Sequence, residues 1–120
     1  MIGGEFLLYQ APDGQARIQL RMQDGTVWLT QKQLGDLYQV SVPTVNGHLR
    51  SVYRDGELSA DRTIRKFRIV AREAARDVER LVDHYNLEAI LQVVYRVRSH
   101  RGAQFRRWAT NTLKDYLVKG

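Results

Sequence analysis

The alternation of apolar and polar positions across residues 28–53 predicts two short helices joined by a tight turn. In each segment the apolar residues recur at intervals of three and four, which is the spacing of one buried helix face. They are Leu34, Leu37 and Tyr38 in the first segment, and Val45, Leu49 and Val52 in the second. Val40, in the turn between the two segments, is expected to point back into the core.

Both predicted helices begin at residues suited to capping. Thr30 precedes the first helix, and Gln33 follows three residues later, which is the spacing of a capping box. Ser41 precedes the second helix. Pro43 is tolerated in its first turn, because backbone N–H groups there have no partner within the helix.

A helix pair of this kind, with Gly35 as the small residue where the helices cross, has the pattern of a helix-turn-helix. It departs from that pattern at Gln39, which stands where a turn glycine is common. The second helix leaves small, polar or basic side chains outside, which suits a helix entering a DNA major groove. They are Ser41, Thr44, Asn46, Gly47, His48 and Arg50. The alternative is an ordinary helical hairpin that packs against a small domain.

Three strands are predicted before this helix pair. Residues 5–9 form the first, and residues 15–22 form a half-buried second strand in which Ile18, Leu20 and Met22 share one face. A turn at residues 11–14 separates these two strands. Asp24-Gly25 is a strong hairpin turn signal, with residues 26–29 as the returning strand. The chain is therefore expected to begin with a small antiparallel meander.

A basic strand is predicted after the helix pair, with Gly56 ending the second helix. Residues 63–71 are rich in strand-forming residues, and a basic strand in this place is how the wing of a winged helix is built. The cations expected to reach the DNA backbone are Arg65, Lys66, Arg68 and Arg72. The alternative is an ordinary solvated strand face.

Residues 73–85 fit two structures. Their apolar residues lie at helical spacing, which favours an amphipathic helix. The same residues also fit a turn at 73–76 followed by a second wing strand at 77–85, which would give the preceding strand a partner. The residues themselves leave this choice open.

Two helices are predicted at the C-terminal end, residues 87–98 with Asn86 as the cap and residues 103–118 after a break at 99–102. The last helix ends in apolar Leu113, Tyr116 and Leu117, which either form a dimer interface or, as the pattern favours, only close the core. Basic residues gather at the junction of the two helices, namely Arg96, Arg98, His100, Arg101, Arg106 and Arg107. They fit a further phosphate or partner contact and a solvated surface equally well.

Composition favours a polyanionic partner. The 120 residues carry a formal charge of +6, and fifteen of the nineteen basic residues are arginine, whose planar fork binds phosphates and guanine edges. Arginine-rich codon usage is the alternative explanation. There is no cysteine, no long apolar run and no signal pattern, so we expect a cytoplasmic protein without a membrane partner. We find no catalytic or metal motif, and therefore expect no enzyme, no metal, no cofactor and no small-molecule substrate.

Several stretches together resemble the virulence RhuM family of bacterial proteins, often carried on mobile elements. The resemblance is densest at EFLLYQ, VWLTQKQL, RDGELSADRTIRKFRIV, HYNLEAI and YRVRSHRGAQFRRWATNTLKDYLVKG. The last of these also looks like the ending of Bro-N and related phage-type DNA-binding domains. The resemblance implies a winged-helix-like DNA-binding domain and favours a strand at residues 77–85. It also implies a longer whole protein, and a larger polar residue where this chain has Gly47.

We therefore expect an α+β fold, a winged helix-turn-helix with an N-terminal β-meander and two C-terminal helices. Residues 1–120 would form one domain, with the helix-turn-helix at 29–53, a wing hairpin at 63–85 and the helical pair at 87–118. The expected partner is double-stranded DNA, with a homodimer plausible because helix-turn-helix proteins usually read two half-sites. The alternative function is a protein-interaction module of a toxin–antitoxin or phage-defence system.

Overall fold

The fold of this chain is α+β, as the sequence predicts, and is built on one five-stranded antiparallel sheet. The computed structural model describes residues 5–14 and 16–113. The strands are β1 (Glu5–Gln10), β2 (Arg17–Gln23), β3 (Thr26–Leu29), β4 (Ile64–Glu73) and β5 (Arg76–Asn86). The helices are α1 (Gln31–Tyr38), α2 (Val42–Arg54), α3 (Ala60–Thr63), α4 (Leu87–Val97) and α5 (His100–Thr112).

The sheet has the strand order β1-β2-β3-β5-β4, with every neighbouring pair antiparallel. The predicted meander is confirmed as β1, β2 and β3. The end of β5 pairs with β3, where Trp28 lies opposite Asn86 and Leu29 opposite Tyr85. The long β4–β5 hairpin is therefore a continuation of the meander sheet.

The strand interpretation of residues 77–85 is confirmed and the helical one is wrong. The hairpin turns at Ala74 and Ala75, whose φ angles of 50° and 64° are both left-handed. This is the backbone of a two-residue turn that normally favours Asn-Gly. Because each alanine Cβ crowds the following carbonyl in this conformation, the turn is unfavourable locally. Pairing of β4 with β5 along all ten residues of β4 stabilises it.

The two faces of the sheet are covered differently. One face contributes residues such as Tyr9, Leu20 and Leu29 to the main core, which also contains the apolar sides of α1, α2, α4 and α5. Tyr38 ties α1 to α4 by donating its hydroxyl proton to the carbonyl of Ile90 at 3.2 Å. The opposite face carries a smaller cluster in which Trp28 contacts Phe67 edge-on, at a ring-centroid distance of 5.5 Å.

The C-terminal helices differ from the prediction at their junction. The predicted break between the two helices is present but shorter than residues 99–102, because α4 ends at Val97 and α5, capped by Ser99, already begins at His100. The Ser99 hydroxyl accepts a hydrogen bond from the N–H of Gly102 at 3.0 Å. The short α3 was not predicted. The expected continuation of the last helix to residue 118, with Tyr116 and Leu117, lies outside the described residues, as does Gln15.

Candidate nucleic-acid interface

The N-terminus of α1 is fixed by the capping box that the sequence predicts. The hydroxyl of Thr30 accepts a hydrogen bond from the N–H of Gln33 at 3.1 Å. The side-chain oxygen of Gln33 in turn accepts from the N–H of Thr30 at 2.9 Å. Two helix-end N–H groups are thereby satisfied at once, which sets the direction in which the chain enters the helix pair.

The conformation of the turn between α1 and α2 accounts for the glycine at position 35 and shows how Gln39 replaces the common turn glycine. Gln39 adopts a left-handed φ of 59°, so a non-glycine residue takes the conformation for which the common turn glycine is suited. The following N–H, of Val40, donates to the carbonyl of Gly35 at 3.0 Å. A Cβ atom on Gly35 would lie 2.8 Å from the carbonyl oxygen of Val40. The close approach of the turn to α1 therefore depends on glycine at this position.

Helix α2 has a buried side and an open side. Its three apolar residues Val45, Leu49 and Val52 are all buried, as predicted. Gly56, with a φ of +74°, ends the helix, and the N–H of Glu57 donates to the carbonyl of Val52 at 3.1 Å. This is the Schellman arrangement, so the sequence correctly identified how α2 stops.

The open side of α2 brings together most of the candidate groove residues. Thr44, Asn46 and Arg50 are exposed along it, whereas His48 is only partly exposed. A Cβ atom on Gly47 would meet nothing within 4 Å, so the middle of this face is open space. Within the described part of the chain no carboxylate pairs with Arg50.

Ser41 is the candidate residue whose hydroxyl is already engaged. It accepts a hydrogen bond from the N–H of Thr44 at 3.2 Å, and its oxygen lies 2.9 Å from the Thr44 hydroxyl. The side chain therefore caps α2, as predicted. Any contact of Ser41 with DNA would have to use this same hydroxyl group.

The end of α2 is hydrogen-bonded to the base of the β4–β5 hairpin. Thr63, directly before β4, donates its hydroxyl proton to the carbonyl of Ser59 at 2.7 Å. With that proton used, the Thr63 oxygen accepts from the hydroxyl of Tyr53 in α2, at 2.8 Å. Burial raises the pKa of Tyr53, so the phenol keeps its proton near neutral pH. This chain of bonds fixes where the hairpin starts relative to α2.

The four hairpin cations do not form one free basic surface. Lys66, Arg68 and Arg72 alternate along one face of β4, whereas Arg65 lies on the opposite face. Every one of them is paired with a carboxylate: Arg65 with Asp24, Lys66 with Asp83 at 2.8 Å, Arg68 with Glu79 at 3.2 Å, and Arg72 with Asp77 at 3.2 Å. The hydrogen bond to Asp83 raises the pKa of Lys66.

Arg65 is held in a second way. Its guanidinium carbon lies 4.9 Å from the centroid of the Trp28 ring, within range of a cation–π interaction. A DNA contact by Arg65 would have to exchange both Asp24 and this ring for a phosphate. Its predicted role at the DNA backbone is therefore the least favoured of the four.

The carboxylate partners were missed from sequence because they lie across the hairpin. Asp83 and Asp77 are the register partners of Lys66 and Arg72. Glu79 lies diagonally from Arg68 on the same face. These neighbours follow from the position of the turn, and Ala74-Ala75 gives no turn signal in the sequence. The strand alternative, with its turn at residues 73–76, has this turn position, and the ion pairs follow once β4 and β5 are paired about it.

Several basic residues at the α4–α5 junction also have partners already. Arg96 is paired with Glu57, and Arg101 with Asp13 at 2.9 Å. The Arg106 guanidinium carbon lies 5.6 Å from the centroid of the half-exposed Tyr95 ring. Three of the six residues are therefore already held by other side chains.

Residues 5–14 and 16–113 contain neither a metal site nor a membrane-spanning helix. No group of three or more His, Asp and Glu side chains there could hold a metal ion. Within the same ranges, no helix combines the length and apolar character needed to cross a membrane.

Comparison with known proteins finds a match to the model of a protein family. No curated protein and no solved structure matches the chain. The model of the virulence protein RhuM family matches residues 62–120, which include the β4–β5 hairpin and both C-terminal helices. This confirms the family resemblance seen in the sequence, over residues 62–120 of the chain.

Proposed function

We propose that this chain binds duplex DNA as a winged-helix-like domain, with α2 lying in the major groove. The observation that supports this most directly is the two-sided character of α2. Its apolar side is buried completely in the core, and its other side presents Thr44, Asn46 and Arg50 around the open position of Gly47.

The residue types on this face suit the major groove. A helix fits the width of that groove, where arginine pairs with guanine edges and asparagine with adenine edges. Arg50 is available for such a contact, because no carboxylate among the described residues holds it. The net charge of +6 adds attraction to the phosphate backbone that does not depend on sequence.

The β4–β5 hairpin would act as a wing whose contacts are weak. Lys66, Arg68 and Arg72 share one face, but each must exchange a carboxylate partner for a phosphate before it contributes. The exchange of one ion pair for another gains little when both are exposed to solvent. The wing would therefore add orientation more than affinity.

Gly47 bears on the specificity of this binding. It leaves a gap in the middle of the face where a side chain could read a base edge. A glycine inside a helix also costs about 1 kcal/mol relative to alanine. We infer that α2 positions the domain on DNA with modest sequence discrimination. The biological role that fits is that of a regulator associated with virulence or mobile elements, acting in the bacterial cytoplasm.

An electrophoretic mobility series with random duplex DNA tests the proposal. The logarithm of the affinity is expected to fall linearly with the logarithm of the salt concentration. The double variant Asn46→Ala, Arg50→Ala should weaken binding and reduce that slope by about one unit, the contribution of one arginine. Arg17→Ala is the matched control, since Arg17 is an exposed arginine on β2, remote in sequence from α2.

One outcome would contradict the proposal that α2 and the hairpin bind DNA. If Arg50→Ala combined with Lys66→Ala leaves the affinity at low salt unchanged, neither α2 nor the hairpin lies on DNA. A loss of equal size in Arg17→Ala would show that only the overall charge matters.

A second candidate, a protein-interaction module of a toxin–antitoxin or phage-defence system, is supported by a different observation. Val70 and Leu81 are 66% and 57% exposed and lie diagonally on one face of the hairpin, among cations that are already neutralised. Exposed apolar residues within a neutralised surface suit a protein partner better than a phosphate backbone. Light scattering that shows a tight complex with a protein, together with no DNA shift at about 50 mM salt, would favour this candidate.

A further inference from the structure

The face of the sheet opposite the main core contains a cleft, which we call the back cleft. It has a volume of about 450 Å³ and lies between β1 and β2 on one side and β4 on the other, with the first turn of α1 at its end. Its walls include Phe6, Arg21, Trp28, Lys32, Arg68 and His84. None of the candidate groove residues of α2 belongs to it.

The base of the back cleft is rigid and aromatic. Trp28 and His84 line it and are buried, and the buried Phe67 ring, which is not itself part of the lining, meets the His84 ring edge-on at a centroid distance of 5.0 Å. The guanidinium carbon of Arg21 lies 4.6 Å from the Phe67 centroid and 5.2 Å from that of Phe6. The guanidinium plane is thus held by rings, which leaves its N–H groups available for a ligand.

The charge in the back cleft has one sign. No Asp or Glu is among its lining residues, as far as the structure describes the chain. Within those same residues, neither Arg21 nor Lys32 has a carboxylate partner. The Nε atom of Arg21 is buried and has no hydrogen-bond partner in the described part of the chain. Because Nε is buried, an anionic ligand in the cleft would be bound by the two terminal Nη groups of Arg21.

The back cleft also has an open aromatic surface. Phe6 is 50% exposed, and it lies directly across from Arg21 in the register of β1 with β2. A half-exposed phenylalanine next to an unpaired arginine offers stacking and a charge-assisted hydrogen bond at the same place. A ligand that uses both has a planar ring and an anionic group. The volume lies within the range usual for small-molecule sites.

We propose that the back cleft binds a nucleoside phosphate, with the base stacked against Phe6 and the phosphate held by Arg21 and Lys32. This site is separate from α2 and does not depend on duplex binding by that helix. It also departs from the expectation that the sequence shows no small-molecule ligand. The nucleotide is either free or an unpaired nucleotide of a strand, since both present the same chemistry.

Trp28 provides a local probe for this binding. It lines the back cleft, whereas Trp108 packs against Tyr9 near the main core, at a ring-centroid distance of 4.8 Å. In a Trp108→Phe background, fluorescence therefore reports on Trp28 alone. Titration with AMP is expected to change this fluorescence with saturation. Adenosine and inorganic phosphate should each bind more weakly, because each lacks one of the two groups that the cleft recognises.

Substitutions with matched controls locate the site. Arg21→Gln should weaken AMP binding by about tenfold or more, the loss expected for one charge-assisted hydrogen bond. Lys32→Gln and Phe6→Ala should also weaken it, and both are exposed enough to leave folding intact. Arg17→Gln, the same charge change on the same strand but outside the cleft, should leave AMP binding unchanged.

A single-stranded oligonucleotide distinguishes the two sources of the ligand. Binding of the oligonucleotide far more tightly than AMP, with the same dependence on Arg21, would assign the cleft to a nucleotide within a strand. Binding of AMP as tightly as the oligonucleotide would assign the back cleft to a free nucleotide. The proposal is overturned if neither ligand changes the Trp28 fluorescence, or if Arg21→Gln and Arg17→Gln have equal effects. Loss of duplex binding through α2 would leave the proposal standing, because the two tests use different residues.

Discussion

The outer face of α2 and the β4–β5 hairpin both carry cations expected at a DNA interface, but the two surfaces differ in how those cations are held. On α2, Arg50 is exposed and has no carboxylate partner among the described residues. On the hairpin, each of the four expected cations is paired, three of them across the strands and Arg65 with Asp24 of the β2–β3 turn. The number of basic residues on a surface therefore does not by itself measure its capacity to bind phosphate.

The difference follows from secondary structure. In a strand pair, residues directly opposite each other share one face, so acidic residues on β5 come next to basic residues on β4. On the outer side of α2, the neighbours of Arg50 one turn away are Asn46 and Arg54, and neither is acidic. Charge in a sequence is therefore a poor measure of free charge on a surface until the register is known.

The largest effect is expected from Gly47→Glu on α2. The side chain has room, since nothing lies within 4 Å of the added Cβ. It would place a carboxylate against DNA, so duplex affinity should fall by at least about tenfold, as for like charges brought together at an interface. Fluorescence anisotropy with a labelled duplex measures this change. Unaltered affinity would show that α2 does not lie in the groove and would contradict the proposed advantage of α2 over the hairpin in binding DNA.

Gly35→Ala is expected to have the next largest effect, on stability. The new Cβ would lie 2.8 Å from the backbone oxygen of Val40, so the turn must shift. The free energy of unfolding should fall by about 1–3 kcal/mol, as in other overpacked sites. Urea denaturation checks this value. Gly47→Ala is the matched control, because it removes a helix glycine without a clash and should stabilise by up to about 1 kcal/mol.

Replacement of the hairpin turn is expected to have a smaller effect on the free energy of unfolding. Replacement of Ala74-Ala75 by Asn-Gly suits the two left-handed φ angles and should raise the free energy of unfolding by about 1 kcal/mol. Duplex affinity should not change, because no cation is altered. A change in affinity that accompanies the gain in stability would mean that the tip of the hairpin contacts DNA, as is expected of a wing.

The smallest effect is expected from the paired cations themselves. Lys66→Ala should lower duplex affinity by no more than about threefold, since an exposed ion pair already occupies this lysine. Asp83→Asn, which frees Lys66, should instead raise the affinity slightly. Both are measured in the same anisotropy assay against Arg50→Ala. If Lys66→Ala lowers the duplex affinity as much as Arg50→Ala does, the two surfaces contribute equally to DNA binding.

Local signals in the sequence determined much of this protein. The Thr30–Gln33 capping box, the Ser41 cap and the Gly56 stop all depend on residues within one or two turns of one another. The same holds for the meander, because alternation in β2 and the Asp24-Gly25 turn are both read from neighbouring residues. Such features are predictable since the contacts that create them are close in the chain.

Only the tertiary structure decided the features that join distant parts of the chain. Residues 76–86 have helical spacing of apolar residues, but pairing with β4 and with β3 makes them a strand despite an unfavourable Ala-Ala turn. The neutralisation of the hairpin cations follows from that same pairing. The back cleft likewise requires Phe6, Arg21 and Lys32 to meet from three different elements. Local preference fixes a helix cap, whereas long-range strand pairing fixes which charges and rings become neighbours.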